Sequence, residues 1–344
     1  MPATIYGDIS PRTAAWAVTE LLKRGMPFLL LEKFGQAFVM PSKSTKVAKW
    51  RRYFLSGATG SAGDGNPASN FFVPLATTPL VEGVTPTGKK LANQDYTATL
   101  DQYGDYVTIT DVVEDTHEDP VLAQATEVLG ESAAITIETV RFNVVKAGTN
   151  VVYNNGANRA AVNTAITLAK QRQVTTAFAR QNARKIANQV MSTPNYNTQP
   201  MEASYFALCH PDLETDIRSL SGYINPKQYG TVTPYESEIG NVDQVRYLTS
   251  TIFEPFADAG GAKGLMRSTS GTNADVYPVI FLARDAFGIV SLKGKNSLQP
   301  MVVNARPSPG DPLGQRGTVG WKTYNATQIL NDAWMCRLEC AATA

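Results

Sequence analysis

One change of period constrains this chain more than any other feature. Between Tyr96 and Val113 the residues alternate, Val107 and Ile109 pointing one way and Tyr106, Thr108 and Thr110 the other. That is the two-residue period of a half-buried strand. The period then switches. Asp119 is a natural N-cap, and Pro120 suits the first helical position, where a missing N–H costs nothing. Behind them Leu122, Ala125, Leu129, Ala133, Ile137, Val140 and Val144 recur at three- and four-residue steps, one apolar stripe. Lys146 suits the dipole of the last turn, and Gly148 reads as the C′ stop. At 1.5 Å per residue such a helix is about 40 Å long, longer than an ordinary globular helix. Gly130 near its middle costs about 1 kcal/mol against alanine, so burial must hold it. A rod of this length is a scaffold.

What surrounds the rod is bounded by composition. The 344 residues leave room for two domains, or for one with large insertions. Basic and acidic residues number 31 and 30, a formal charge of +1, which excludes a global basic field for nucleic acid. Only 18% of residues are charged, below the usual quarter, so much of the surface is expected to lie against other copies. Residues 1–10 have neither a positive n-region nor an apolar core, so no signal peptide is expected, and no run approaches a membrane span. Three cysteines, an odd number, imply no disulfide framework and fit a reducing compartment.

The first segment reads as an arm. Ser10-Pro11 opens a short helix through Val18, Leu21 and Leu22, closed by Gly25 and Pro27, and apolar stretches follow at Phe28–Leu31 and Phe38–Met40. It carries too little apolar surface to fold alone, so it is expected to lie on other parts of the fold or on a neighbour. From Lys46 to Leu55 a strand pattern interleaves Trp50, Tyr53 and Phe54 with Lys46, Lys49, Arg51 and Arg52. A nucleic-acid stacking strip is one reading. An exposed hairpin arm kept soluble by its charges is the more economical one, given the balanced net charge. Gly57 to Pro67 breaks every period, a flexible tip. Gly83 to Lys90 has the G-x-x-x-x-G-K spacing, but Lys90 stands where Ser or Thr should bind magnesium and a strand pattern follows, so no nucleotide site is assigned. The excursion from Lys46 to Val113 is then a long two-stranded ribbon, marginal alone in water and in need of a partner surface. Order in its tip is expected to depend on assembly, with protease cutting first between Gly57 and Phe71 in free subunits.

Beyond the long helix, Asn154-Asn155-Gly156 is a turn, and Val174, Phe178, Ile186 and Val190 mark an amphipathic helix with Arg180, Arg184 and Lys185 on its solvated side. Tyr205–Cys209 reads as a strand, and His210-Pro211-Asp212 begins a helix with Leu213, Ile217 and Leu220 inward. Strand-like runs cover Val242–Thr249, Tyr277–Ala283 and Phe287–Leu292, the last two joined by a turn at Arg284-Asp285. Val319–Ile329 and Trp334–Cys340 look like strands about an Asn331-Asp332 turn, with Cys336, Leu338 and Cys340 on one face. Mixed helices and strands imply a compact α+β unit over 175–294.

Chemistry is hard to find. His117 and His210 sit in no metal spacing, and no nucleophile motif accompanies them. Cys209 and His210 are adjacent, but strand neighbours point to opposite faces, which argues against a thiolate pair. Cys336 and Cys340, four apart in a strand, are about 13 Å apart, too far for a disulfide. Asp111, Glu114, Asp115, Glu118 and Asp119 crowd the strand-to-helix junction, where a solvated connection favouring the helix N-terminus explains them better than a cation does. No catalytic, cofactor-binding or metal residue is assigned.

Five islands carry a family resemblance: Thr99-Leu100-Asp101-Gln102-Tyr103-Gly104-Asp105-Tyr106-Val107; Leu129-Gly130-Glu131; Glu238-Ile239-Gly240 with Val245-Arg246; Asp275-Val276-Tyr277-Pro278; and Asp311-Pro312-Leu313-Gly314-Gln315-Arg316-Gly317-Thr318-Val319-Gly320-Trp321-Lys322. With the order of parts, they make the chain resemble the major capsid proteins of N-four-like tailed bacteriophages, which have the Hong Kong 97-like capsid fold. The resemblance implies an α+β subunit with an N-terminal arm (1–45), an E-loop hairpin (46–113), a P-domain with the spine helix (114–174), an A-domain (175–294) and a return to the P-domain (295–344). It implies a structural protein and not an enzyme. Its hexamers and pentamers would close an icosahedral head around double-stranded DNA in the virion, assembled in the host bacterial cytoplasm. Its main partner would be itself, with portal, scaffolding and decoration proteins as further partners, and contacts to DNA would be few, non-specific and salt-sensitive. No cofactor and no membrane are implied. Inter-subunit hairpin contacts are expected at Lys46, Lys49, Arg51, Arg52, Phe71, Phe72, Lys89 and Lys90. Some members of the fold cross-link a hairpin lysine to a neighbour's asparagine; no acceptor matches here, and that chemistry is not carried over. Two other classes stay open, an encapsulin-type nanocompartment shell and, more distantly, an enzyme of unknown class.

Overall fold

The computed structural model describes residues 29–41, 43, 45–55, 79–86, 88, 90–116, 121–187, 203–229, 234–269, 271–292, 299–303, 307 and 312–344. The expected arm helix before Phe28, the glycine tip, His117, Phe71, Phe72 and Lys89 lie outside them. After a 3-10 turn at Leu31–Lys33 come β1 (Gln36–Met40), β2 (Val47–Leu55), β3 (Leu91–Thr99), β4 (Asp101–Thr110), the short helix α1 (Asp111–Thr116) and the long helix α2 (Val121–Lys146). Next are β5 (Val151–Tyr153), α3 (Leu168–Arg180), β6 (Tyr205–Cys209), the short helix α4 (Glu214–Arg218), β7 (Tyr223–Ile224), β8 (Glu238–Val242) and β9 (Val245–Thr249). The chain closes with β10 (Tyr277–Leu282), β11 (Phe287–Leu292), β12 (Gln299–Val303), β13 (Arg316–Ile329) and β14 (Met335–Cys340).

Among the described residues the strands form three sheets. A seven-stranded sheet runs β5-β14-β10-β6-β9-β8-β7. A second sheet runs β1-β11-β13-β12, with β4 also paired to β13, and β2 and β3 form a separate ribbon. The seven-stranded sheet is covered on both faces, so its central strands β6 and β10 are apolar and buried at every position rather than at alternate ones. Tyr205, Ala207 and Cys209 of β6 face one core with Val174 and Phe178 of α3 and Leu213 and Ile217. Phe206 and Leu208 face another with Phe142 and Val145 from the end of α2 and with Leu30, Leu31 and Phe34. Each such side chain stabilises the fold by about 1.5–3 kcal/mol when fully buried. The long helix lays Leu129 and Ala133 against Ile109, Val319 and Trp321, so it joins β4 and β13 at one end to the seven-stranded sheet at the other.

Several expectations are corrected by packing. The strand expected to be continuous from Tyr96 to Val113 is two strands broken at Leu100, because the chain changes partner there: β3 pairs with β2, β4 with β13. The buried parity changes with it, from Ala98 and Leu100 to Ile109. Val112 and Val113 belong to α1, not to the strand. Helix α3 starts at Leu168 and stops at Arg180, well before Ile186. Asn182 takes the left-handed position (φ 52°), Asn182 N–H bonds Ala179 O at 3.1 Å and Ala183 N–H bonds Phe178 O at 3.0 Å. That is the Schellman geometry, closed by an asparagine rather than a glycine. Val242–Thr249 contains a turn at Asp243 (φ 51°) between the antiparallel strands β8 and β9. Gly148 lies just past the end of the long helix at Lys146 without a positive φ, and an added Cβ there would lie 2.6 Å from Met335 Cε and 2.8 Å from Asp332 Oδ1.

The turn at Arg284-Asp285 and the turn at Asn331-Asp332 do not close hairpins. β10 and β14 pair with each other in the seven-stranded sheet, while β11 and β13 pair in the second sheet. The two crossings run side by side, with Ala283 N–H bonded to Trp334 O and both Leu330 and Asn331 N–H bonded to Ala286 O. The seven-stranded sheet therefore takes β5 and β14 from outside 175–294, and β11 from inside it goes to the other sheet.

Candidate assembly surfaces

The ribbon is the first surface. β2 and β3 pair over nine residues, Val47↔Thr99 to Leu55↔Leu91. Alternation gives it an inner face with Ala48 and Ala98 buried and Trp50 half-buried. The Trp50 ring covers Gly288, where a Cβ would lie 2.6 Å from its Cζ2, and sits 5.5 Å from the Phe38 ring. Trp50 is thus turned inward and is not part of a stacking strip. The basic residues of the ribbon and of its base meet nearby acids. Arg51 Nε and Nη2 bond Asp95 at 2.7 and 3.0 Å, Lys49 reaches Asp95 at 3.3 Å, and Lys46 reaches Asp101 at 3.3 Å. The Arg51 hydrogen bond holds the Asp95 carboxyl well below the usual carboxylate range. Exposed pairs of this kind are screened by water and salt; they neutralise the strip more than they stabilise it. Arg52 and Lys90 also have partners within the chain. At the far end Leu80 (78% exposed), Val81, Val84 and Leu91 stand in solvent. Gly83 (φ 77°) makes the turn there, and a strand, not a helix, follows the phosphate-loop-like spacing.

The second surface is the outward face of β4, β13 and β12. The inward residues Ile109, Val319 and Trp321 pack on the long helix. Their strand neighbours point away, and Tyr106 (68% exposed), Met301 and Val303 flank an open recess of about 490 Å³ floored by Gly104 and Gly320. Both glycines sit in islands of the resemblance. A Cβ on Gly104 would meet Trp321 O at 2.7 Å, and one on Gly320 would meet Tyr106 Cβ at 2.8 Å, so they let β4 and β13 approach. Sequence reasoning missed Met301, Val303, Leu80, Val81 and Val84. For β12 the signal that could have found them was the parity of its apolar residues, readable once β13 is known to cover the other edge.

The remaining islands are architectural. Arg246 bonds Glu238 in two places, at 2.7 and 2.6 Å, both side chains buried, with Tyr229 donating to Glu238 at 2.7 Å. Glu339, buried, accepts from Arg159 at 2.8 and 2.7 Å and from Arg337 at 2.8 Å, and Arg337 also donates to Lys146 O at the end of the long helix. Asp275 accepts Asp258 N–H and the Thr269 hydroxyl, each at 2.8 Å.

The thiols and His210 make structural contacts among the described residues. Cys209 faces the core with its thiol on Leu248 O, and burial pushes its pKa up; Cys336 and Cys340 are likewise buried and free. His210 Nδ1 accepts Asp212 N–H, and burial lowers its pKa. Among the described residues no cluster of His, Cys, Asp or Glu could hold a metal ion, and no helix is long and apolar enough to cross a membrane.

Comparison with known proteins adds the biological setting. The family described as phage capsid protein matches residues 94–338, well over half of the chain. Among solved structures, the capsid of Ralstonia phage GP4 aligns with a TM-score of 0.63 at 13% identity, covering 90% of this chain and 87% of that one. The capsid asymmetric unit of cyanophage Pam1 gives 0.58 at 12% identity, covering 89% of both chains. The capsid of cyanophage P-SCSP1u gives 0.56 at 15% identity, covering 91% and 88%. No curated protein matches.

Proposed function

Because the chain belongs to the phage capsid protein family and has the Hong Kong 97-like capsid fold, we propose that it is the major capsid protein of an N-four-like phage head. In this reading its hexamers and pentamers close an icosahedral shell around double-stranded DNA. Its subunit divides into the arm, hairpin, spine-bearing P-domain, A-domain and returning segment, with the seven-stranded sheet as the core of the A-domain and its strands β5 and β14 supplied from outside 175–294. The observation that carries the reading is the family match, which runs from β3 to β14. The protein is structural, and its site is its surface.

The ribbon residues Lys46, Lys49, Arg51, Arg52, Lys90, with Phe71, Phe72 and Lys89, are proposed to meet a neighbouring subunit, together with the exposed Leu80, Val81 and Val84. Portal, scaffolding and decoration proteins are proposed partners, and assembly is proposed to take place in the host bacterial cytoplasm. Contact with packaged DNA would be non-specific and weakened by salt, since the net charge is +1 and the ribbon's cations are paired. An encapsulin-type shell is disfavoured, the matched family and the similar structures being phage capsids. Electron microscopy of the concentrated protein, with and without co-expressed phage scaffold, tests the proposal. Closed shells or capsomers are expected; monomers alone under both conditions would overturn it.

A further inference from the structure

Glu138 lies on the long helix, fully buried, and one of its two carboxyl oxygens serves both of its donors. Oε1 accepts Leu31 N–H at 2.7 Å and Leu30 N–H at 3.1 Å, while Oε2, also buried, has no partner. Those amides open the 3-10 turn Leu31–Lys33, whose N-cap residue Leu30 makes no side-chain cap of its own. A side chain of α2 therefore caps a turn of the N-terminal segment. Leu30, Leu31 and Phe34 complete the attachment by packing with Phe142 and Val145.

A buried carboxylate needs donors around both oxygens. A neutral carboxyl removes the buried charge while Oε1 keeps both N–H groups. The charged groups around it do not supply what is missing. Arg141, one turn on, points its guanidinium to Glu32 at 3.2 Å and leaves its own Nε buried without a partner. Glu32 opposes ionisation of Glu138, and Lys33 lies over the Tyr235 ring, 5.7 Å from its centroid. From the sheet side the same cluster offers Phe206, Leu248, Phe287 and Met335, all apolar, and the nearby Arg246 is committed to Glu238.

We infer that docking of residues 29–34 onto the long helix is gated by the Glu138 proton, firm while the carboxyl is neutral and loosened when it ionises. The inference rests on this geometry and does not depend on the capsid reading. Burial pushes the Glu138 carboxyl from 4.5 up to about 7, against the opposing pull of the Leu31 N–H, Arg141 and the Leu30 N–H. A docked value above the free one means that the attachment is strongest below about pH 4.5 and is lost progressively as pH rises through about 7. By the same linkage, docking should be about thirtyfold weaker at pH 8.5 than at pH 5.5.

Hydrogen exchange at the Leu30 and Leu31 amides tests this, with each rate divided by that of an unstructured peptide at the same pH and β10 amides as the control. In the unaltered protein, protection of the two amides should fall about thirtyfold from pH 5.5 to 8.5 while β10 holds. Glu138→Gln keeps the acceptor and cannot ionise, so its protection should not change. Equal protection at both pH values in the unaltered protein, or the same fall in Glu138→Gln, would overturn the inference. If that variant does not fold, the carboxyl is titrated directly by carbon NMR in the unaltered protein. A midpoint above pH 6 supports the gate, and one at or below pH 6 overturns it.

Discussion

The seven-stranded sheet and the β2–β3 ribbon are both built of paired strands, yet they differ in what covers them. Every residue of β6 and β10 is buried, with α3 on one face and the end of α2 with the N-terminal segment on the other. The ribbon has nine residue pairs, and in them only Ala48 and Ala98 are buried among the described side chains. Backbone pairing is similar in the two, so pairing does not decide which is stable. Apolar burial does: one buried phenylalanine outweighs several exposed ion pairs. The sheet is covered within the one chain, and the ribbon leaves most of its surface open, the surface that the proposed assembly would cover.

The largest effect expected lies in the sheet. Glu238→Ala leaves the Arg246 guanidinium buried beside the Phe206, Tyr229 and Tyr235 rings with its carboxylate gone. A loss of about 3–5 kcal/mol in denaturant unfolding is expected. A loss under about 1 kcal/mol would mean that the pair is not sealed from water, and the contrast between the two regions would weaken. Next comes the join between them. Gly288→Val forces the Trp50 ring off β11, at about 1–3 kcal/mol. Trp50 fluorescence should shift red while the near-ultraviolet signal of the sheet's tyrosines persists; loss of both together would make ribbon and sheet one cooperative unit.

Within the ribbon the effects shrink. Arg51→Ala should lower subunit stability only slightly, with the difference vanishing in high salt. A larger, salt-independent loss would show that the Arg51–Asp95 pair is not the solvated contact described. The smallest change in subunit stability is expected at Tyr106→Ser on the outward face, within about 0.5 kcal/mol. Its consequence should appear in assembly instead, as a lower yield of sedimenting particles. An unchanged yield would remove the β4–β13–β12 face from the contact surface.

Local periodicity by itself determines a good part of this molecule. The long helix with its inward Leu129, Ala133 and Ile137, the inward Ile109 and the shared face of Cys336, Leu338 and Cys340 all follow from side-chain spacing along one element. A helix or strand repeats its geometry every few residues, so its buried face is written in the residues themselves. The motif islands identified the family, but not what their residues do: Gly104 and Gly320 allow two strands to meet, and Glu238 and Arg246 neutralise each other out of water. Only the tertiary structure decided which strand pairs with which. The residues around Leu100 read as one strand although the partner changes there from β2 to β13 and the buried parity with it, and β10 and β11 read alike although they belong to different sheets. Glu138 is the sharpest case. As a glutamate on a helix it looks like a solvated residue, yet it is buried and bonded to the amides of Leu30 and Leu31, more than a hundred residues earlier in the chain. Pairing and burial between distant segments are set by which surfaces meet, and no window of neighbouring residues contains that information.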